Sequence, residues 1–358
     1  MKIIKRYFYR EFLTFFFISL ITFLLIYMVV DFFGKIDNFL EANVPMNVAF
    51  SYFLYKIPMS IQQLIPVSVL ISVMLMLSIM NKHNEILAMR NCGQSLFNIS
   101  YPIIVISILT GIGSFFLAES IVPITSSMAN RIWDIQVEKR DPKGAYKLSH
   151  LWYKGKDAIY QIRAHDSRKH TIEGFSVFFL DKDFTLTKKI DARKATWIND
   201  RWYLNDGLIQ EIEPDGSRKS TRFTHYSIQV PEGPEHFERS MKTPEEMSFW
   251  ELRKYVGKIS QEGYDSTRYQ VDLHIKIAFP FICPILALAG IPLALRRKKG
   301  GIAFGITIGI GITFLYLLAF GLSRSLAISG VLPPILGAWI ANLLFSLFGI
   351  YLMLAREI

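Results

Sequence analysis

Residues 57–80 read IPMSIQQLIPVSVLISVMLMLSIM, and residues 81–95 continue NKHNEILAMRNCGQS. The first stretch carries no charge, and a transmembrane helix needs roughly 20 mostly apolar residues. The second is a polar island with a helical rhythm and one acid, Glu85, among bases. Apolar sequence then resumes from Ile99 to Ala118. An island that short cannot be a domain, so two spans are joined by a small charged turn.

Working outward, Phe12 to Val30 is an uncharged span before this pair. Apolar runs then stop until Leu273 to Leu295, Ile302 to Leu322 and Ile335 to Leu354. The layout is three spans, a long polar insert and three spans. Span two holds Pro58, Gln62, Gln63 and Pro66, which makes one half of it unusually polar. The N-terminal MKIIKRYFYR has the charge of a signal-peptide start. The apolar run behind it is too long for one, and no small-residue cleavage site follows.

Composition agrees with a membrane protein. The chain has 358 residues, 51% of them hydrophobic, and a net charge of +10. Lys and Arg accumulate in cytoplasmic loops, so their placement sets orientation. Lys2, Lys5, Arg6 and Arg10 precede span one. Lys82 and Arg90 follow span two, Arg296 to Lys299 (RRKK) follow span four, and Arg356 closes the chain. The opposite short loops hold Lys35, Lys56 and Arg324. Both termini are therefore expected in the cytoplasm and the insert outside. Cys92 and Cys283 have no metal-ligand spacing and no evident disulfide partner. Histidine clusters, HExxH, GxSxG and Walker A motifs are missing, so no catalytic, metal or P-loop site is expected, and no cofactor.

Residues 120 to 265 read as β structure with a helical end. AIYQIRA, FSVFFL, TLTKKIDA, RWYL and LIQEI are candidate strands, with NDR at Asn199, NDG at Asn205 and PDG at Pro214 as turns. Many short strands suggest a sandwich or jelly roll. Trp152, Trp197, Trp202 and Phe178 are its expected core, some of them a slot for acyl chains on a sharper reading. TPEEM and SFWEL each offer a capping box before a helix with Trp250, Leu252, Tyr255, Val256 and Ile259 on its apolar face.

The expected fold is thus an α-helical membrane protein of six transmembrane helices with an inserted all-β, jelly-roll-like domain. Residues 1–119 hold spans one to three and a cytoplasmic helix near 82–93, residues 120–265 the insert, and residues 266–358 spans four to six. A helix at the island would end near Gly93. About ten residues are marginal alone in water, so something packs on it. The lipid interface and a cytoplasmic protein are equal candidates.

At this point the chain resembles a known family. EILAMRNCGQS is similar to the coupling segment of the lipopolysaccharide-export permeases, the F/G pair of the Lpt transporter. The resemblance continues through KRYFYREFL, PMSIQQLIPVSVLIS, ATWINDRWYL and TPEEMSFWELRKYV. RYQVDLHIKIAFP and GVLPPILGAWIANLLF look closer to the G-type than to the F-type subunit. No single motif is decisive; their order around the insert is.

The resemblance implies a non-catalytic permease subunit of an ABC transporter in the bacterial inner membrane, with a periplasmic β domain. It would extract lipopolysaccharide and pass it toward the outer membrane. Implied partners are a sister F-type permease, a cytoplasmic ATPase dimer, a single-span periplasmic bridge protein and lipopolysaccharide, with no nucleic acid. The F-type partner's insert is the more direct contact for the bridge. Glu85 matches the glutamate that docks into the ATPase, with Leu87, Met89 and Arg90 beside it. Alternatively Glu85 only caps the loop.

Spans one and five would form lateral gates of a V-shaped cavity. Lys35 and Arg324, and then Arg131, Arg268 and Lys276, are candidates to meet lipid phosphates; each could instead be an ordinary snorkelling cation. Where some G-type members carry a lysine this chain has Asp31, and Lys35, one turn later, could substitute and pair with it. Phe16, Leu20, Phe23, Tyr27, Phe314 and Leu318 could line the cavity. Gly305, Gly309 and Gly311 would allow close helix approach. Competing readings are another inner-membrane lipid transporter, a membrane-anchored assembly factor without ATP coupling, a secondary transporter, disfavoured by the scarcity of mid-membrane charge, and an integral enzyme.

Overall fold

The computed structural model describes residues 2–139, 151–155, 158–166, 171–181, 185–198, 201–212, 217–230, 233, 243–261, 265–295 and 301–355. Six of its helices are long and apolar enough to cross a membrane. RRKK (296–299), Arg356 and PDG (214–216) lie outside the described residues, and so do Asn199 and Asp200 of NDR.

Helix α1, Lys2–Glu41, has 40 residues, and α2, Met46–Lys82, has 37. At 1.5 Å per residue each runs about 55–60 Å, against about 30 Å of hydrocarbon. Both therefore continue well past the apolar runs, and Lys35 lies within α1 rather than beyond it. Ala42 to Pro45 joins them; Asn43 takes the left-handed turn (φ 55°) and Pro45 precedes α2. Span two is the axis of the bundle: 67% of its apolar window is buried, against 17% for span one. It touches α1, α4 (Leu96–Ser120) and both α8 (Ile282–Ala294) and α9 (Gly301–Ile328). Val69, Leu70, Val73, Met74 and Leu77 of α2 form the centre of the core. Buried Ser68 and Ser72 donate back to Leu64 O and Val69 O, so their hydroxyls are satisfied inside apolar surroundings.

Span four is broken. Helix α7 (Thr267–Ala278) passes through one 3-10 turn, Phe279–Phe281, into α8. Pro280 lacks the N–H that a continuous helix needs there. Beside the break the Ala278 carbonyl accepts from Asn342 Nδ2 at 3.0 Å, and Asn342 Oδ1 accepts from Tyr316 Oη at 2.7 Å. This buried chain joins α7 and α9 to α10, Pro334–Leu354. Gly305 and Gly309 face α2, where an added Cβ would come within 2.8 Å of Ser78 Oγ and 2.6 Å of Ile71 Cδ1; beside Gly311 nothing lies within 4 Å. Two of the three glycines thus set the helix approach.

The insert opens helically, with α5 (Val122–Ile132) and a π stretch Trp133–Val137, where the sequence reading had strands. Six strands follow as one antiparallel meander in sequence order: β1 (Leu151–Lys154), β2 (Ala158–Asp166), β3 (Thr171–Leu180), β4 (Leu186–Ile198), β5 (Arg201–Ile212) and β6 (Arg218–Ile228). The inserted β domain is present as an open sheet, with helical segments on either side of it. Each strand pairs only with its sequence neighbours, so the crossover of a jelly roll does not occur among the described residues.

RWYL and LIQEI are one strand, β5. NDG is a kink inside it, with Asp206 at φ 52° and pairing on either side of it. By register Asp206 lies opposite Arg193, and Arg193 opposite Gly174, which has φ 66°. Across this line the alternation slips by one: Ile172 precedes Phe175 and Val177 on β3, and Trp202 and Leu204 precede Ile209 on β5. A residue at positive φ re-aims the strand, so both halves turn apolar side chains to one core. Trp202 is the fully buried centre of that core, 5.3 Å from the Phe175 ring and 5.0 Å from Trp197. Phe178 falls outside it, with Lys189 Nζ 5.3 Å from its ring centroid. Nothing is described of the Trp152 side chain.

The return path is a 3-10 turn, Pro244–Glu246, then α6, Phe249–Gln261. Only the second capping box starts the helix: Ser248 N donates to Glu251 Oε2 and Glu251 N to Ser248 Oγ, both at 3.2 Å. Extended backbone at Met247 (φ −101°, ψ 139°) keeps the first box to a single turn. Leu252, Tyr255, Val256 and Ile259 turn inward, and Trp250 turns out with Arg253 beside its ring.

Candidate functional site

The polar island folds as α3, Glu85–Asn91, on the side of the bundle away from the insert. Its end is held by paired backbone bonds, Gly93 N to Arg90 O and Gln94 N to Met89 O, around Gly93 at φ 82°. That closure needs a left-handed residue, which glycine takes without a Cβ penalty. Ser95 Oγ then accepts from Asn98 N to start α4. Ile86 is 4% exposed and belongs to the cluster of Phe8, Phe12, Met80 and Leu96, with Met89 packed against it. Leu87 and Arg90 point to solvent. Glu85 Oε2 accepts from Tyr7 Oη at 3.0 Å, and His83 Nδ1 stands 4.0 Å from its other oxygen. Helix α3 is therefore seated on the core, with its acid tied to the start of α1 and its outer edge free.

The five candidate phosphate-binding cations do not gather in one place. Lys35 Nζ donates to Tyr52 Oη at 2.7 Å and lies about 5 Å from the rings of Tyr52 and Trp133. Asp31 is held chiefly by Lys56, at 2.6 and 2.8 Å, and only at 3.4 Å by Lys35. Lys56 also stands near the Tyr27 ring, at 5.8 Å. Lys56 is the partner that sequence reasoning missed, because the pair spans two helices and 25 residues. Arg131 and Arg268 are exposed.

Arg324 is bound to Asp272, with Nη2 at 2.8 Å and Nε at 3.2 Å from the same oxygen. Lys276 Nζ donates to Met247 O at 2.8 Å. Beside it Glu119 Oε2 accepts from Phe249 N at 2.7 Å, and Asn130 Nδ2 donates to Glu246 Oε1. Side chains from α4, α5 and α7 thus grip residues 246–249, where the insert returns. Arg324 and Lys276 line one cavity of about 250 Å³ with Gln62, Gln63, Ser114 and Asp272. The signal for Asp272 was an acid four residues before Lys276 in a segment about to enter a span.

The apolar candidates divide. Phe16 and Leu20 are packed in the core, so they cannot line a surface of this chain. The face that α1 leaves uncovered carries Phe17, Ile21, Leu25 and Val29 instead, one or two positions along from the predicted stripe. Phe23 and Tyr27 are half-buried. Phe314 (63% exposed) and Leu318 (48%) stand on the uncovered face of α9. Among the described residues no group of three or more His, Cys, Asp or Glu side chains could hold a metal ion.

A family model described as lipopolysaccharide export system permease LptF/LptG matches residues 6–355. Two curated relatives are each described as lipopolysaccharide export system permease protein LptG, one from Escherichia coli K12 and one from Escherichia coli O6:H1 strain CFT073. The chain is 21% identical to each over 324 residues, covering 86% of this chain and 85% of the relative. With the match spanning all six apolar helices and the insert between them, the chain belongs to the LptF/LptG family of lipopolysaccharide export permeases.

Proposed function

We propose that this chain is the G-type half of a permease pair that lifts lipopolysaccharide from the outer leaflet of the inner membrane, worked by a cytoplasmic ATPase dimer docked on α3. The family match over residues 6–355 carries the reading. The seating of α3 supports the coupling role. A short helix fixed by Ile86 to the core and leaving Leu87 and Arg90 in solvent can pass a push inward. A carboxylate such as Glu85 makes charge-assisted hydrogen bonds stronger than neutral ones when a docking groove excludes water.

The termini and α3 are assigned to the cytoplasm and the insert to the periplasm, on the distribution of short-loop cations. The uncovered faces of α1 and α9 are the gates through which the acyl chains enter, beside the sister F-type subunit. Of the cations, Lys35 stands on a gate helix, so its ammonium group is the first assigned to a lipid phosphate. The sheet continues the outward path toward a single-span bridge protein.

Co-purification tests this. The ATPase is expected to come down with the wild-type chain and to be weakened or lost with Glu85→Ala. An ATPase that stays bound and fully coupled without Glu85 refutes the assignment of that residue. Protease access in intact spheroplasts tests orientation: cleavage of the insert is expected, and its protection would overturn the topology.

A further inference from the structure

We infer that the cavity between spans two, three, four and five is a binding site for an ethanolamine-phosphate headgroup, as carried by a zwitterionic phospholipid. Two of its lining residues each bury a polar atom that finds no hydrogen-bond partner among the described residues: Asp272 Oδ2 and Ser114 Oγ. The Asp272 side chain is 9% exposed, and Arg324 uses only its other oxygen. Leaving a buried carboxylate oxygen without a donor is costly, which favours a ligand that supplies one.

The polar groups around the cavity differ in sign and position, which selects the ligand. Asp272 Oδ2 offers an acceptor to a cation that donates hydrogen bonds, and Glu245 adds a second acid to the lining. The Ser114 hydroxyl and the Lys276 ammonium, with one proton already on Met247 O, offer donors to an anion. A primary ammonium joined to a phosphate satisfies both. A trimethylated ammonium has no N–H to give Asp272, and a glycerol headgroup has no charge to match it. The space of about 250 Å³ exceeds the roughly 30 Å³ share of one water several-fold. Phe115, Phe279 and Phe320 supply an apolar wall for the start of acyl chains. The site stands on this geometry alone and does not depend on how α3 is driven or what the gates carry.

The test is native mass spectrometry of the full chain with its co-purifying partners, released from nanodiscs. These hold equal phosphatidylethanolamine, phosphatidylcholine and phosphatidylglycerol with identical acyl chains. Retention of phosphatidylethanolamine is expected to exceed that of either other lipid about tenfold, the scale of one charged hydrogen bond. Asp272→Asn is expected to abolish the preference. Because that change also loosens Arg324, Ser114→Ala, which touches no ion pair, is the second variant, with a loss of about threefold. Excess soluble phosphoethanolamine separates the sources: displacement of the lipid assigns the site to the headgroup alone, and persistence assigns it to the intact phospholipid. Equal retention of the three lipids by the wild type, or a preference unchanged in both variants, overturns the inference in favour of a merely hydrated cavity.

Discussion

Ile86→Ala is the sharpest perturbation of α3. Helix α3 has seven residues, too few to persist in water by itself, and Ile86 is its one fully buried side chain. Truncating a buried isoleucine to alanine costs about 2–5 kcal/mol, lost transfer energy plus residual cavity. At 1.4 kcal/mol per decade the seated form falls by about 30-fold at the low end and several thousand-fold at the high end. Ile86→Val costs about 0.5–1.5 kcal/mol, or about 2- to 12-fold. Hydrogen exchange reads this opening directly. The amides of Ala88, Cys92, Gly93 and Gln94 all donate within or at the end of α3 and report on its integrity. Their exchange in a peptide covering residues 85–95 is expected to accelerate at least 30-fold in the alanine variant and only a few-fold with valine. Cores elsewhere should keep their protection. Unchanged exchange in Ile86→Ala, or valine acting as strongly as alanine, would refute the claim that this side chain seats the helix.

Other consequences can be checked separately. Tyr7→Phe removes the donor to Glu85, a half-exposed bond of about 0.5–1.5 kcal/mol. If ATPase docking must break it, affinity should rise about 2- to 10-fold by titration; a weaker complex would show instead that Tyr7 positions the acid. Lys56→Met leaves Asp31 with Lys35 at 3.4 Å and should lower stability by about 1–3 kcal/mol. Adding Asp31→Asn should recover part of the loss in a thermal melt, because the two sites are coupled; additive losses would argue against the pair. At Gly337 an added Cβ would overlap the Ala327 methyl across α9 and α10, so Gly337→Val should cost about 1–3 kcal/mol by overpacking. Gly311→Ala, in open space, should be near neutral in the same assay. Asp265 accepts from Thr267 at the start of α7, which lowers its pKa. Its contribution is complete above the ordinary value of 3.8 and is lost as the pH falls through the depressed value. Asp265→Asn should therefore flatten the acid limb of exchange at Thr267.

The spans were legible because charge-free runs of that length leave the chain few alternatives. Their true ends were not. Asp31 and Lys35 read as the finish of span one, yet α1 continues through them to Glu41 because their partners lie on α2 and in the π stretch. Strand identity was readable from composition, but NDG was taken for a turn. An Asp such as Asp206 tolerates positive φ equally well in a hairpin and in a kink, and only cross-strand register separates the two. Helix α3 and its stop at Gly93 followed from local signals. Ionic partners did not: Asp272 and Arg324 are 52 residues apart, and no periodicity links them. The stripe on α1 was predicted one to two residues out of phase, since an apolar helix has no polar face to mark which side meets its neighbours.

Residues 246–249 are clasped by side chains from α4, α5 and α7 at once. A joint fixed at three points cannot swivel, so α6, which begins at Phe249, has to follow any rocking of those helices as a rigid handle would. Its 13 residues make an arm of about 20 Å, and over that length a tilt of about 5° at the clasp sweeps the far tip by about 1.7 Å, roughly the rise of one helical residue.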